Sequence, residues 1–156
     1  MDNFESLDLE VRLISSNKKR FLNLLLLADE SEKLVSEYID RGALFVLYYE
    51  SSPIAVCLVT KEGEALFEIK NLAVLPKYQR KGFGHFLISF VITHYEGICK
   101  TLLVGTGESS LTIPFYENCG FTYSHRIENY CITNYPSLII ENGEVLKDKV
   151  YLKMSL

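Results

Sequence analysis

The chain has 156 residues, 48% hydrophobic and 23% charged, a balance that fits one folded domain, 1–156, with a full core. A formal net charge of -4 and a pI near 5.4 offer no basic excess for nucleic acid, and the longest apolar stretch, around "FLNLLLLA", is too short to span a bilayer. The opening "MDNFESLDLE" is acidic and lacks the apolar run of a secretory signal, while Cys57, Cys99, Cys119 and Cys131 show no CxxC spacing, so a cytoplasmic chain with free thiols and no metal site is expected.

In chain order, residues 7–14, "LDLEVRLI", alternate loosely and predict an edge strand. The stretch "SSNKKRFLNLLLLADESEKLVSEYIDRG" predicts one or two helices, the first capped by Ser15, Ser16 or Asn17 and the second ended by Gly42. "ALFVLYYE" and "PIAVCLVTKE" are β-rich runs that predict a hairpin, with Pro53 at a strand start. "GEALFEIKNLAVLP" predicts a third strand of the meander, entered through a turn at Gly63 and stopped by Pro76. Residues 82–95 predict a helix with Phe83, Phe86, Leu87, Phe90 and Val91 on its apolar face. "TLLVGTG" predicts a strand, "SSLTIPFYENCG" a short helix closed by Gly120, and "FTYSHRIENY" with "VLKDKVYLKMS" a final hairpin around an "ENG" tip. The order of elements gives a mixed α/β sheet.

The segment "VLPKYQRKGFGHFLISFVITHY" raises the functional question. A helix start presents unpaired N–H groups and a partial positive charge, and glycines let an anion approach the backbone closely. Gly82 and Gly84, with Arg80, Lys81 and nearby Lys77, therefore suit a phosphate or pyrophosphate. The GxxxxGK[ST] loop is absent, and Leu87 stands where a GxGxxG fingerprint needs its third glycine.

The longer string "NLAVLPKYQRKGFG" resembles the coenzyme-binding motif of the GNAT acetyltransferases, Q/R-x-x-G-x-G/A, with Gln79, Gly82 and Gly84 in its fixed positions. The later "PFYENCGF" is similar to that family's "fYeklGF" segment. The resemblance implies a GNAT-like, mostly antiparallel sheet of about seven strands, splayed between 65–75 and 101–106 and flanked by about four helices. It implies acetyl-CoA as cosubstrate, the pyrophosphate in a cradle of Gln79, Arg80, Lys81, Gly82, Phe83, Gly84 and His85, and the pantetheine arm along Leu72, Ala73 and Val74. Tyr116 holds the position of the family's general acid, and a phenol, titrating near pH 10, is protonated at pH 7. Glu68 stands at the offset before Gln79 where some members carry a general base; strand alternation places it on the face opposite Phe67 and Ile69. An oxyanion N–H is implied near Val74, just past a strand bulge. Glu108 or Ser109 replaces an asparagine that often contacts the coenzyme; the alternative role for Ser109 and Ser110 is to cap the next helix.

The resulting expectation is acetyl transfer to a primary amine by direct attack in a ternary complex. The alternative is a coenzyme-binding regulatory module without turnover. The acceptor, a small molecule or a peptide amine, is assigned to the 15–42 helices, the first hairpin and the 127–145 segment. There Glu128, Glu141 and Glu144 could attract a cation, and the Tyr- and Glu-rich tip could equally be a homodimer contact.

Overall fold

The computed structural model describes residues 7–156; the first six, part of the acidic opening, lie outside the described residues. The chain runs β1 (Leu9–Ile14), a 3-10 turn (Lys18–Phe21), α1 (Leu22–Ala28), α2 (Glu32–Tyr38), β2 (Ala43–Tyr49), β3 (Ser52–Lys61) and β4 (Leu66–Val74). A 3-10 turn (Pro76–Tyr78) leads to α3 (Phe83–Tyr95), β5 (Thr101–Gly107), α4 (Thr112–Asn118), β6 (Thr122–Ile127) and α5 (Tyr130–Asn134). The hairpin β7 (Ile139–Glu141)–β8 (Glu144–Leu146) and β9 (Lys149–Ser155) follow. Seven strands form one sheet in the order β1-β2-β3-β4-β5-β9-β6, and the β4–β5 pair alone is parallel. This is the mixed, mostly antiparallel sheet that the sequence predicts.

Continuous apolar runs in β2 and β3 mark strands covered on both faces. Phe45, Leu47, Cys57 and Val59 face α3, with Leu87, Ile88 and Val91 in the same core cluster. Leu44, Val46, Val56 and Leu58 face the other way, onto Leu25, Val35 and Ile39 of the α1–α2 layer. Ser31 caps α2, its side chain accepting from Leu34 N at 3.1 Å. Asn17 precedes the first turn in a left-handed conformation without a side-chain cap, so the predicted first cap is not made through a side chain. Among the described residues no helix is long and apolar enough to cross a membrane.

Two predictions shift. The inward stripe of α3 is Phe83, Leu87, Ile88, Val91 and Tyr95; Phe90 is 42% exposed. Both stripes have helical spacing, and the layer beneath, not the period, selects between them. The predicted final hairpin forms as β6 against β9, but the "ENG" turn belongs to the separate β7–β8 hairpin, and β9 lies between β5 and β6.

Candidate active site

β4 and β5 pair only over Leu66–Ile69 and Thr101–Val104. Beyond Ile69 the strands part, and a cavity of about 970 Å³ opens there, walled by Leu72, Ala73 and Val74 on one side and Gly105, Thr106 and Gly107 on the other. The register of β4 against β3 slips at Lys70, because Leu58 faces Asn71 while Val59 faces Ile69. The bulge thus lies four residues before Val74, deeper in the strand than expected, and it bends β4 away from β5 at the parting.

The glycine turn closes the upper end. Gly82 takes φ 90 immediately before α3, and Arg80 takes φ 60 two residues earlier. Gln79 Nε2 donates to the Val74 carbonyl at 2.9 Å and ties the turn to the end of β4. Gly84 is small for a packing reason: a Cβ there would lie 3.3 Å from the Phe115 ring and 3.6 Å from Val74. Leu72, Ala73, Val74, Gln79, Arg80, Gly82, Gly84 and His85 all line the cavity; Lys81 and Phe83 do not. Phe83 is buried instead, its ring 5.9 Å from Tyr78 and 6.1 Å from Tyr49. Strand backbone bared by the parting fits an amide-bearing arm, and a left-handed glycine at a helix start fits a pyrophosphate, so these residues suit coenzyme A.

Tyr116, on α4, lines the cavity yet is only 7% exposed. Its ring packs edge-on against Phe115 and Phe121, and what acts on its hydroxyl among the described residues is burial and the nearby Cys57 and Cys119, not a hydrogen-bond partner. Burial, and then the nearby Cys57 and Cys119, push the phenol well above its ordinary value, so it stays protonated.

Glu68 is not on the cavity wall. It is 5% exposed, and its carboxylate is held by Lys70 at 3.0 Å; Lys70 does line the cavity. Lys70 also reaches Glu62 at 3.4 Å, and Glu62 meets Arg41 at 3.0 Å. Burial pulls the Lys70 ammonium down, but the Glu68 and Glu62 carboxylates outweigh this and raise it.

The cavity also carries Tyr130 and Tyr135 of the 127–145 segment, where the acceptor was expected, and polar residues that sequence reading passed over: Asp29, Tyr38, Asn71 and Lys149. Lys149 Nζ lies 4.6 Å from the Tyr130 ring centre and 5.1 Å from that of Tyr151. Asn71 breaks the polar–apolar alternation of "EIKNLAV", directly after Lys70, and that was its one available signal; nothing local marked Asp29, which meets Tyr135 across 106 positions. Of the acids expected to draw a cation, Glu141 accepts from Ser109 at 2.8 Å and Glu144 from Ser110 at 2.6 Å; of Glu128, Glu141 and Glu144, only Glu141 lines the cavity. Ser109 Oγ also accepts from Leu111 N at the start of α4, and Glu108 is engaged by Arg126. Cys119 sits 3.4 Å from His85, but burial raises its thiol to about 11, so it offers little thiolate at pH 7.

Between an arm-shaped slot and a polar pocket, with no activated nucleophile of its own, this cavity suits group transfer between two bound molecules. The fold and site define a transferase. The family model for the acetyltransferase (GNAT) domain matches residues 40–123. An uncharacterized N-acetyltransferase of Bacillus subtilis, YvbK, is 31% identical over 150 residues, covering 95% of this chain and 97% of the relative. A GNAT family acetyltransferase from Elizabethkingia anophelis, solved with acetyl-CoA bound, superposes with a TM-score of 0.90 at 32% identity, covering 96% of this chain and 99% of the other. An IAA acetyltransferase from Bacillus cereus superposes with a TM-score of 0.89 at 34% identity, covering 96% and 100%. The chain belongs to the GNAT acetyltransferase family and is an acetyl-CoA-dependent acyltransferase.

Proposed function

We propose that the chain, folded as one domain, transfers the acetyl group of acetyl-CoA to a primary amine by direct attack while both substrates are bound. The observation that carries this reading is the Tyr116 hydroxyl, buried at the cavity wall, protonated and without a partner. It suits a proton donor to the leaving thiolate. The coenzyme's pyrophosphate is assigned to the backbone of Gly82 and Gly84 with Arg80, and its pantetheine amides to Leu72, Ala73 and Val74. The thioester carbonyl is assigned to the β4 backbone beyond the Lys70 bulge. The name of the Bacillus subtilis relative, an N-acetyltransferase, supports nitrogen as the acceptor. Four free cysteines agree with a reducing, cytoplasmic setting.

Glu68 takes a different part from a direct base. With its carboxylate on Lys70, it fixes that ammonium at the cavity wall, and the acceptor's proton leaves through water. This arrangement also keeps the binding-module reading in view. The deciding experiment is CoA release from acetyl-CoA across a panel of amino acids, polyamines, amino sugars and short peptides, with thermal shift in parallel. Release with at least one primary amine is expected. Stabilisation by acetyl-CoA with no release from any amine would support the module instead.

A further inference from the structure

The carboxamide of Asn71 stands two residues beyond Ile69, the last β4 residue paired with β5, and is 3% exposed on the cavity wall. Its orientation is dictated by its neighbours. Nδ2 donates to the Leu25 carbonyl at 2.8 Å and to the Tyr38 hydroxyl at 3.0 Å. A backbone carbonyl only accepts, so the amide nitrogen must face Leu25 and the oxygen must be the atom left over. Tyr38 in turn donates to Asp29 Oδ2 at 3.1 Å, and Tyr135 donates to Asp29 Oδ1 at 2.8 Å. Burial raises both phenols, so both remain donors. Every proton in this chain is committed, and Asn71 Oδ1 is a buried acceptor without a partner. Such an atom in a folded protein calls for a donor that is absent from the chain itself.

We propose that Asn71 Oδ1 receives an N–H of the attacking amine and so positions the acceptor nitrogen, an inference that rests on the N-acetyl transfer reading above. The placement favours the acceptor over the coenzyme. The pantetheine arm belongs between the parted strands and engages backbone, whereas Asn71 projects from the sheet to the α1–α2 side, among Leu25, Tyr38 and Asp29. The chemistry then selects primary amines. A neutral primary amine has two N–H bonds and a lone pair. One N–H stays on Asn71 while the lone pair forms the C–N bond. The C–S bond breaks, sulfur keeps the electron pair and takes the Tyr116 proton, and water takes the second N–H proton and returns one to Tyr116. The product amide still donates its remaining N–H to Asn71. A secondary amine must give up its only N–H and leaves Oδ1 bare.

The test compares the fastest acceptor of the amine panel with its N-methyl derivative, in wild type and in Asn71→Leu. Wild type should favour the primary amine in kcat/KM by about tenfold or more, and the variant should narrow that preference to about threefold or less, with acetyl-CoA affinity by calorimetry little changed. An unchanged preference in a folded variant overturns the inference. Because the Leu25 carbonyl loses its partner in Asn71→Leu, a second measurement needs no variant. Wild-type crystals grown with desulfo-CoA and the same acceptor should show its nitrogen about 2.7–3.2 Å from Oδ1. A pantetheine amide on Oδ1, or the nitrogen elsewhere, overturns the assignment while leaving acetyl transfer intact. Absence of CoA release with every amine would instead overturn the transfer reading, and this inference with it.

Discussion

At the residue scale, Tyr116 and Glu68 separate by environment. Tyr116→Phe removes only the hydroxyl and leaves the packing against Phe115 and Phe121. If the phenol protonates the thiolate, kcat should fall about 10²-fold while the acetyl-CoA dissociation constant holds. Equal kcat in steady-state assays would reduce Tyr116 to packing. Glu68→Gln removes the nearer of the two carboxylates that hold Lys70, leaving Glu62, and takes no group from the cavity wall. The kcat/KM profile from pH 6 to 10 should therefore keep its shape and drop by less than about tenfold. Loss of an ionisation limb would restore Glu68 as the base. Tyr116 was legible because its neighbours "PFYENCGF" form a local string, and the alternation that places Glu68 off the Phe67–Ile69 face was legible too. The Lys70 bulge was not: one extra residue shows only against the partner strand, and it brought Lys70 and Asn71 to the cavity wall with Glu68 behind them.

At the element scale, the cradle depends on backbone shape more than on side chains. Gly82→Val forces a β-branched residue into φ near 90, a strain of roughly 1–3 kcal/mol. Gly84→Val drives new methyl groups toward the Phe115 ring, 3.3 Å from where the Cβ must sit. Both variants should bind acetyl-CoA at least about tenfold more weakly by calorimetry, while circular dichroism keeps the native spectrum. Full affinity in a folded Gly82→Val protein would move the pyrophosphate elsewhere. The turn was legible because Gln79, Gly82 and Gly84 act within six positions. The inward face of α3 was not, since Phe86 and Phe90 match the helical period as well as Ile88 does.

At the scale of the whole molecule, tyrosine burial sets a limit in alkali. Burial raises Tyr95 and Tyr151 to about 12, and Tyr38, Tyr116, Tyr130 and Tyr135 shift in the same direction. An unfolded phenol titrates near 10, so above that pH the unfolded chain binds fewer protons than the folded one. Stability from this source is therefore complete below about pH 10 and is lost as pH rises beyond it. Melting temperature should stay level from pH 8 to 9.5 and fall from pH 10 upward, and the 295 nm tyrosinate signal at pH 10.5 should jump on unfolding. A smooth titration with no jump would mean that these hydroxyls are open to solvent. The first five strands were legible as elements from alternation and turns, and the neighbourhood of β4 and β5 from the GNAT resemblance. The far edge was not, because pairing between β5, β6 and β9 depends on contacts distant in sequence.

That far edge has a consequence for how the protein is made. β9, Lys149–Ser155, is not an outer strand but the wedge between β5 and β6. A ribosome delivers β1 through β5 first, and they form one ladder, yet the outer rim of β5 then stays bare until about 40 more residues have been synthesised. Throughout that interval Thr101–Gly107 offers open N–H and C=O groups to any other nascent chain. The final strand is thus the latch that ends the chain's window of vulnerability to aggregation, and translation speed across 108–155 sets how long that window lasts.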